Sequence, residues 1–255
     1  MRFSVLFWNI WLDNQINGRR NAQRLLAELN NIVEKYQPDC IGLNEVLQGA
    51  EESSPFVLEN LETVGYRHNH FAPSSPVDKN WVIGTAVSSK HPLLSPTIIS
   101  LGKDKFAESE GFPGHTLKAV ATKVMLPQGK TIGFVAAHPV HLRPTFLGHH
   151  YKHTKALTNF LRTPDFSEDT ILGGDFNEPR FMPNSFRQIN RNHFNHKSGP
   201  LWSPTWRHRA SKITPIRANL DKLFWTKKGS IQLLKFKVIP TDVSDHRPIF
   251  AIFGY

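Results

Sequence analysis

The chain has 255 residues, of which 39% are apolar and 20% charged, with 18 Phe and 6 Trp. That aromatic content excludes a disordered polymer, and the length suits one α/β domain over residues 1–255. A single cysteine, Cys40, excludes an internal disulfide framework and a thiolate zinc site, and the net charge of +10 favours an acidic partner.

Met1-Arg2 followed by Phe3 to Trp8 mimics the start of a signal peptide. Asn9 and Asp13 interrupt it, and no small-residue cleavage site follows. No apolar run approaches the roughly 20 residues needed to span a bilayer. The expectation is a soluble, cytoplasmic protein.

Phe3 to Ile10 reads as a buried strand, and Asn17-Gly18 punctuates the chain after it. Ala22, Leu25, Leu26, Leu29, Ile32, Val33 and Tyr36 fall on one face of a helix, which Gln37-Pro38-Asp39 ends. Cys40 to Val46 is a second core strand, and strand–helix–strand argues for a layered α/β fold. A weaker helix over Glu51 to Val64 precedes a strand from Tyr66 to Phe71, a loop at Pro73-Ser74-Ser75-Pro76 and a strand from Trp81 to Ser89. Thr116 to Leu126 and Thr131 to Ala137 flank the Pro127-Gln128-Gly129 turn of a hairpin. A helix follows over Leu147 to Leu161, with Leu147, Tyr151, Leu157 and Leu161 on one face, and Asp169 to Gly174 is again a strand. Phe181 to Ile216 reads as loops with one short helix, before strands at Leu220 to Thr226, Ile231 to Ile239 and Ile249 to Phe253.

Charge is unevenly spread. Between Arg180 and Pro240 there are 13 Lys/Arg against one acid, Asp221, while the rest of the chain is close to neutral. Such a one-sided field attracts polyanions, so nucleic acid is the expected partner and an anionic lipid surface the alternative.

Several strands end in polar residues that a plain core does not need. They are Asn9, Glu45, His138, the pair Asp175 and Asn177, Asp221, and finally Asp245-His246. Carboxylates and amide oxygens suit Mg²⁺ or Mn²⁺, whereas zinc would want more nitrogen or sulfur. The Gly173-Gly174 pair lets the backbone turn tightly before Asp175, and neither GxGxxG nor GxxxxGK[ST] occurs. His149, His150 and His153 look superficially like a metal tract, but a solvated helix surface is the expectation. Trp8, Trp11 and Trp202 are expected in the core, while Trp206, in Pro204-Thr205-Trp206-Arg207-His208-Arg209, is placed to stack on a base or lie at a membrane surface.

Gly173-Gly174-Asp175-Phe176-Asn177 and Ser244-Asp245-His246-Arg247-Pro248 resemble the two most specific motifs of the endonuclease/exonuclease/phosphatase (DNase I-like) superfamily. Gly84-Thr85-Ala86-Val87-Ser88-Ser89-Lys90-His91-Pro92-Leu93 is similar to a third, and the order holds from Phe3 to Phe250. The resemblance implies a four-layer α/β sandwich of two packed mixed sheets flanked by helices. It also implies Mg²⁺-dependent cleavage of a phosphoester, with Mn²⁺ as a substitute.

By the same resemblance Glu45 is the main metal ligand, with Asn9 and Asp245 completing the site. His246 is held by Asp221, Asp175 orients or deprotonates water, Asn177 positions water or phosphate, and His138 stabilises charge or the leaving oxygen. Either Asp175 or His246 serves as general base. Arg143, Trp206, Arg207 and Arg209 are the expected substrate contacts. Pro204-Thr205-Trp206 lacks the adjacent Asp-Arg of the inositol-polyphosphate 5-phosphatases, and Asn44-Glu45-Val46-Leu47 departs from the abasic-site nuclease pattern. A nuclease is the leading expectation, a sphingomyelinase-like or small-ester hydrolase the alternative, and a non-catalytic nucleic-acid-binding module a distant third.

Overall fold

The first strand dictates the layering. In β1 (Arg2–Asn9) the side chains of Phe3, Val5 and Phe7 join one apolar cluster, while Leu6 and Trp8 join another on the opposite face. A strand apolar on both faces must be covered on both. The computed structural model describes residues 1–10, 19–49, 53–103, 108, 115–140, 147–166, 168–178, 188–189, 194–200, 203–207 and 217–255.

In the first six-stranded sheet the order is β13 (Gln232–Val238), β14 (Ile249–Gly254), β1, β2 (Cys40–Gly49), β4 (Trp81–Ser89) and β3 (His68–Pro76). In the second it is β5 (Leu93–Lys103), β6 (Thr116–Met125), β7 (Thr131–Ala136), β8 (Thr170–Asp175), β12 (Asp221–Thr226) and β9 (Phe194–Ser198). Each sheet is mixed: β1 runs parallel to β2, and β7 to β8, with the other pairs antiparallel. The sheets face each other across Phe3, Val5, Phe7, Val120, Phe134 and Leu223, with Phe7 stacked on Phe134 at 4.9 Å between ring centroids. Leu25, Leu29, Ile32 and Val33 of α1 (Arg19–Tyr36) and Leu61 of α2 (Phe56–Thr63) cover the outside of the first sheet. Leu157 and Leu161 of α3 (Leu147–Leu161) cover the second. The result is the expected four-layer sandwich.

Some elements differ from the sequence reading. Pro73 to Pro76 belong to β3 rather than to a loop, because β3 is an edge strand where a residue without an N–H is tolerated, and its register shifts between Pro73 and Ser75. Leu93–Lys103 and Phe194–Ser198 are strands that alternation did not reveal; both lie at sheet edges and carry exposed positions. Helix α2 starts only after Pro55, whose extended ψ of 131° forms its N-cap. On α3, Tyr151 is exposed, and the inward face is instead His150, His153, Thr154, Leu157 and Leu161. Among the described residues no helix is long and apolar enough to cross a membrane.

Candidate active site

Alternation along β1 puts Asn9 on the same face as Phe7, at the rim of the cleft between the sheets. Its Nδ2 donates to Glu45 Oε1 at 2.8 Å and to Asp175 Oδ2 at 3.1 Å, tethering one sheet to the other. Glu45 gets there through a β-bulge. In a regular strand Asn44 and Glu45 would point to opposite faces. Pairing between β2 and β4 shifts register between Leu43 and Val46, and Glu45 takes a left-handed φ of 57°. As a result Asn44 Oδ1 accepts from Asp175 N at 2.9 Å while Glu45 reaches Asn9.

Asp175 ends β8 opposite Asp221, the first residue of β12. Gly174 before it has φ 137°, and a Cβ there would collide with Ala137 O, while one at Gly173 would collide with the Phe7 ring, so the two glycines permit close approaches within the strand rather than a tight turn. Asn177, also left-handed at φ 52°, donates its N–H to Asp175 Oδ1 at 2.7 Å and its Nδ2 to Pro139 O at 3.0 Å. His246 sits between two acids, with Nδ1 at 2.9 Å from Asp221 Oδ2 and Nε2 at 3.4 Å from Asp175 Oδ2. His138 Nε2 approaches Asp175 Oδ2 at 3.5 Å and Glu45 Oε1 at 3.9 Å. Asp245 Oδ2 accepts from Trp206 Nε1 at 3.0 Å.

The electrostatics follow from this packing. Burial would lower the His246 pKa, but Asp175 and then Asp221 outweigh it and raise the imidazole to about 10. For Asp175 burial acts upward, yet His246 and His138 hold it well below the usual carboxylate range. Burial pushes Asp221 up to about 6 against the pull of His246. His138 is raised, with burial opposed by the hydrogen bond and charge of Asp175 and by Glu45. At neutral pH the site therefore holds a cationic imidazole between ionised acids. Two buried atoms, Asn177 Oδ1 and Asp221 Oδ1, have no hydrogen-bond partner among the described residues. They line one site, and a polar guest would satisfy them.

Asp175, Asp221 and His246 each bring one ligand atom within 4.8 Å of the others. Both nitrogens of His246 face carboxylates, so protons account for this trio and leave the ring no lone pair for a metal. Asn9, Glu45 and Asp245 form a better set of hard oxygen donors. Burial raises the Asp245 carboxyl; His246 opposes this, while the negative charges of Glu45 and Asp175 add to it. A divalent cation relieves that like-charge crowding, so the residues fit such an ion.

The model of the Endonuclease/Exonuclease/phosphatase family matches residues 6–246. The chain belongs to that family. Its members are hydrolytic phosphoesterases, generally dependent on a divalent metal, and this chain is such an enzyme. An endonuclease/exonuclease/phosphatase from Beutenbergia cavernae DSM 12333 shares the fold at TM-score 0.76 and 19% identity, over 99% of this chain and 71% of that one. The human Nocturnin catalytic domain with bound sulfate gives 0.73 and 18%, over 99% and 94%. D. rerio TDP2 complexed with single strand DNA product gives 0.70 and 16%, over 100% and 99%. No curated protein matches the chain by sequence.

Within this family member the structure gathers Asn9, Glu45, His138, Asp175, Asn177, Asp221, Asp245 and His246 into one site. Arg143 and Arg209 lie outside the described residues, as do Trp11 and Trp202, and of Arg207 only the backbone is described, in the short strand β10 (Trp206–Arg207). Trp206 is at the site, but its indole N–H is committed to Asp245 and its backbone bridges to His246. Residues that looked like plain core or surface also serve the site. Trp8 Nε1 donates to His246 O at 3.1 Å, and Thr205 Oγ1 accepts from Asp221 N at 3.1 Å. Ser244 Oγ donates to Asn9 O at 2.8 Å.

One sequence expectation is corrected here. His150 and His153 are buried, not solvated: His150 Nε2 bonds Phe176 O at 2.9 Å, and His153 bonds Lys103 O and Val140 N. They brace the segments that carry Asn177 and His138. Of the 13 cations of the basic stretch, six have described side chains. Lys222 is buried and paired with Glu178 at 2.7 Å, while Lys227 and Lys228 follow the end of β12 remote from Asp221. Lys197 is exposed on β9, and Lys235 and Lys237 lie on β13.

Proposed function

We propose that the protein is a Mg²⁺-dependent phosphodiesterase acting on nucleic acid, with Mn²⁺ as a working substitute. The observation that carries this reading is His246 held between Asp221 and Asp175, beside His138 and the partnerless Asn177 Oδ1. Glu45, with Asn9 and Asp245, would hold the ion, which when bound neutralises charge on the phosphoryl group. Nucleic acid as substrate is supported by the excess of 13 basic over one acidic residue in 180–240. It is further supported by the single-strand DNA product bound to the structurally similar D. rerio TDP2.

The charge states divide the labour. Asp175 remains a carboxylate, so it is the group that accepts a hydrogen bond from the attacking water and takes its proton. His246, protonated on both nitrogens, is no base; it orients Asp175 and offsets negative charge as the phosphorus gains an oxygen. Asp221 fixes its ring. As the new P–O bond forms and the old one breaks, the leaving oxygen takes a proton from His138, whose protonated form Asp175 and Glu45 favour. Asn177 Nδ2 is anchored on Pro139 O, which leaves its Oδ1 to orient the water.

The test is a panel of single-stranded DNA, duplex DNA, RNA, sphingomyelin vesicles and a chromogenic phosphodiester, each with Mg²⁺, Mn²⁺ or EDTA. Metal-dependent cleavage of nucleic acid that His246→Ala abolishes supports the reading. Cleavage of lipid or small esters alone refutes the substrate and keeps the chemistry.

A further inference from the structure

Lys197 and Lys227 of the basic stretch lie along one edge of the sandwich. There β9 of one sheet and β13 of the other leave an open groove of about 520 Å³. Trp225 forms part of its lining, half-buried and edge-on to Phe253 with centroids 5.9 Å apart. Lys197 and Asn195 line it from β9, Lys227 from the turn after β12, and Gln232 and Leu233 from β13. Both lysines are exposed, and no carboxylate lines the groove among the described residues.

Ammonium groups beside a planar ring and an amide are the elements that bind a single-stranded polyanion: charge for phosphate, a ring for stacking, and tolerance of any base. Position agrees with this. Trp225 lies four residues along β12 from Asp221, or about 13 Å at the strand rise. A polymer cleaved at one end of β12 therefore passes within reach of the groove, whereas a small ester does not.

We propose that this groove is a second contact surface for single-stranded nucleic acid, holding the part of the substrate beyond the catalytic pocket. The inference rests on the nucleic-acid reading above. It makes affinity depend on substrate length, and it gives Lys197 and Lys227 a use that the catalytic site does not.

The test compares wild type with Lys197→Glu/Lys227→Glu. Binding of a labelled DNA strand of about 16 nucleotides, a long site for such surfaces, is measured in EDTA by anisotropy across a salt series. Turnover of the same strand and of a chromogenic phosphodiester is measured with Mg²⁺. Each phosphate contact on a single strand contributes about 0.7 to the salt slope, so losing two lowers it by about 1.4. At 0.1 M salt the same loss weakens binding on the order of tenfold or more. KM for the strand rises accordingly, while turnover of the small diester stays at the wild-type value. Trp225→Phe, which keeps the packing on Phe253, reduces the fluorescence quench on binding. Unchanged affinity and slope in the double variant overturn the groove and leave the nuclease reading standing. A wild type that hydrolyses only the small diester overturns both. Loss of phosphatidylserine-vesicle binding with strand binding intact reassigns the groove to a lipid surface and overturns the proposal.

Discussion

The Lys222–Glu178 pair makes a sharp test of how the site is supported. The two side chains are 3% and 0% exposed and meet at 2.7 Å, behind the strand ends that present Asp221 and Asn177. Burial pulls the Lys222 ammonium below its ordinary pKa while Glu178 pulls it back up. Replacing Lys222 by Met leaves a carboxylate in the interior without that ammonium, a change that costs about 3–5 kcal/mol for a fully buried pair. Unfolding entropy of about 2.1 cal/mol/K per residue, over 255 residues, converts that loss to a fall in Tm of roughly 6–9 °C. The double variant Lys222→Met/Glu178→Leu removes both charges and returns to within about 1–2 kcal/mol of wild type, because apolar replacement of a buried pair is close to neutral. Urea unfolding followed by circular dichroism measures all four corners of the cycle. If Lys222→Met sits within about 1 kcal/mol of wild type, water reaches the pair and the reasoning from burial fails.

Other outcomes follow from the same geometry. His246→Ala and Asp175→Asn each lower kcat by about 100-fold or more, with the far-UV spectrum preserved; near-wild-type rates in both would refute the site assignment. Gly174→Ala forces a Cβ against Ala137 O and to 2.8 Å from Asn44 Oδ1 at φ 137°, so it lowers both Tm and kcat, and a neutral effect on both contradicts the close approach. Burial pushes Asp169 up, but Lys130 and Ser230 outweigh it and hold its pKa below the ordinary value. Its stabilising contribution is thus present above about pH 4 and fades as pH falls through the depressed folded value. Asp169→Asn should melt below wild type at neutral pH, with the gap closing in acid; a gap independent of pH would contradict the linkage.

The two sheets were legible in the sequence because their central strands are buried on both faces and therefore apolar throughout, as in Phe3 to Trp8. Edge strands were not. Leu93–Lys103 and Phe194–Ser198 mix exposed and covered positions, and β3 contains prolines that only an edge can accept. Polar residues at strand ends gave most of the site, since a carboxylate or imidazole there has no reason to exist in a core. What escaped was the support behind them. His150 and His153 at helical spacing look like surface histidines, and only the packing of α3 shows that they bond Phe176 O and Lys103 O. Asn44 and Glu45 are neighbours whose shared face depends on a bulge, and no local pattern announces it.

That bulge binds catalysis to the parity of the strand. Leu43 and Val46 both pack toward the helices although they lie three positions apart, an odd spacing that a regular strand would place on opposite faces. The extra residue is therefore counted twice, once in placing an acid at the rim and once in keeping every later side chain of β2 on its proper side. Removing one residue between Leu43 and Val46 cannot trim the site alone. Either Glu45 leaves the cleft, or Val46 and Leu47 exchange faces and the pairing of Val46 with Gly84 through Gly49 with Trp81 must be rebuilt. Chain length in this segment is thereby fixed from two directions, by the chemistry at the rim and by the packing beneath it.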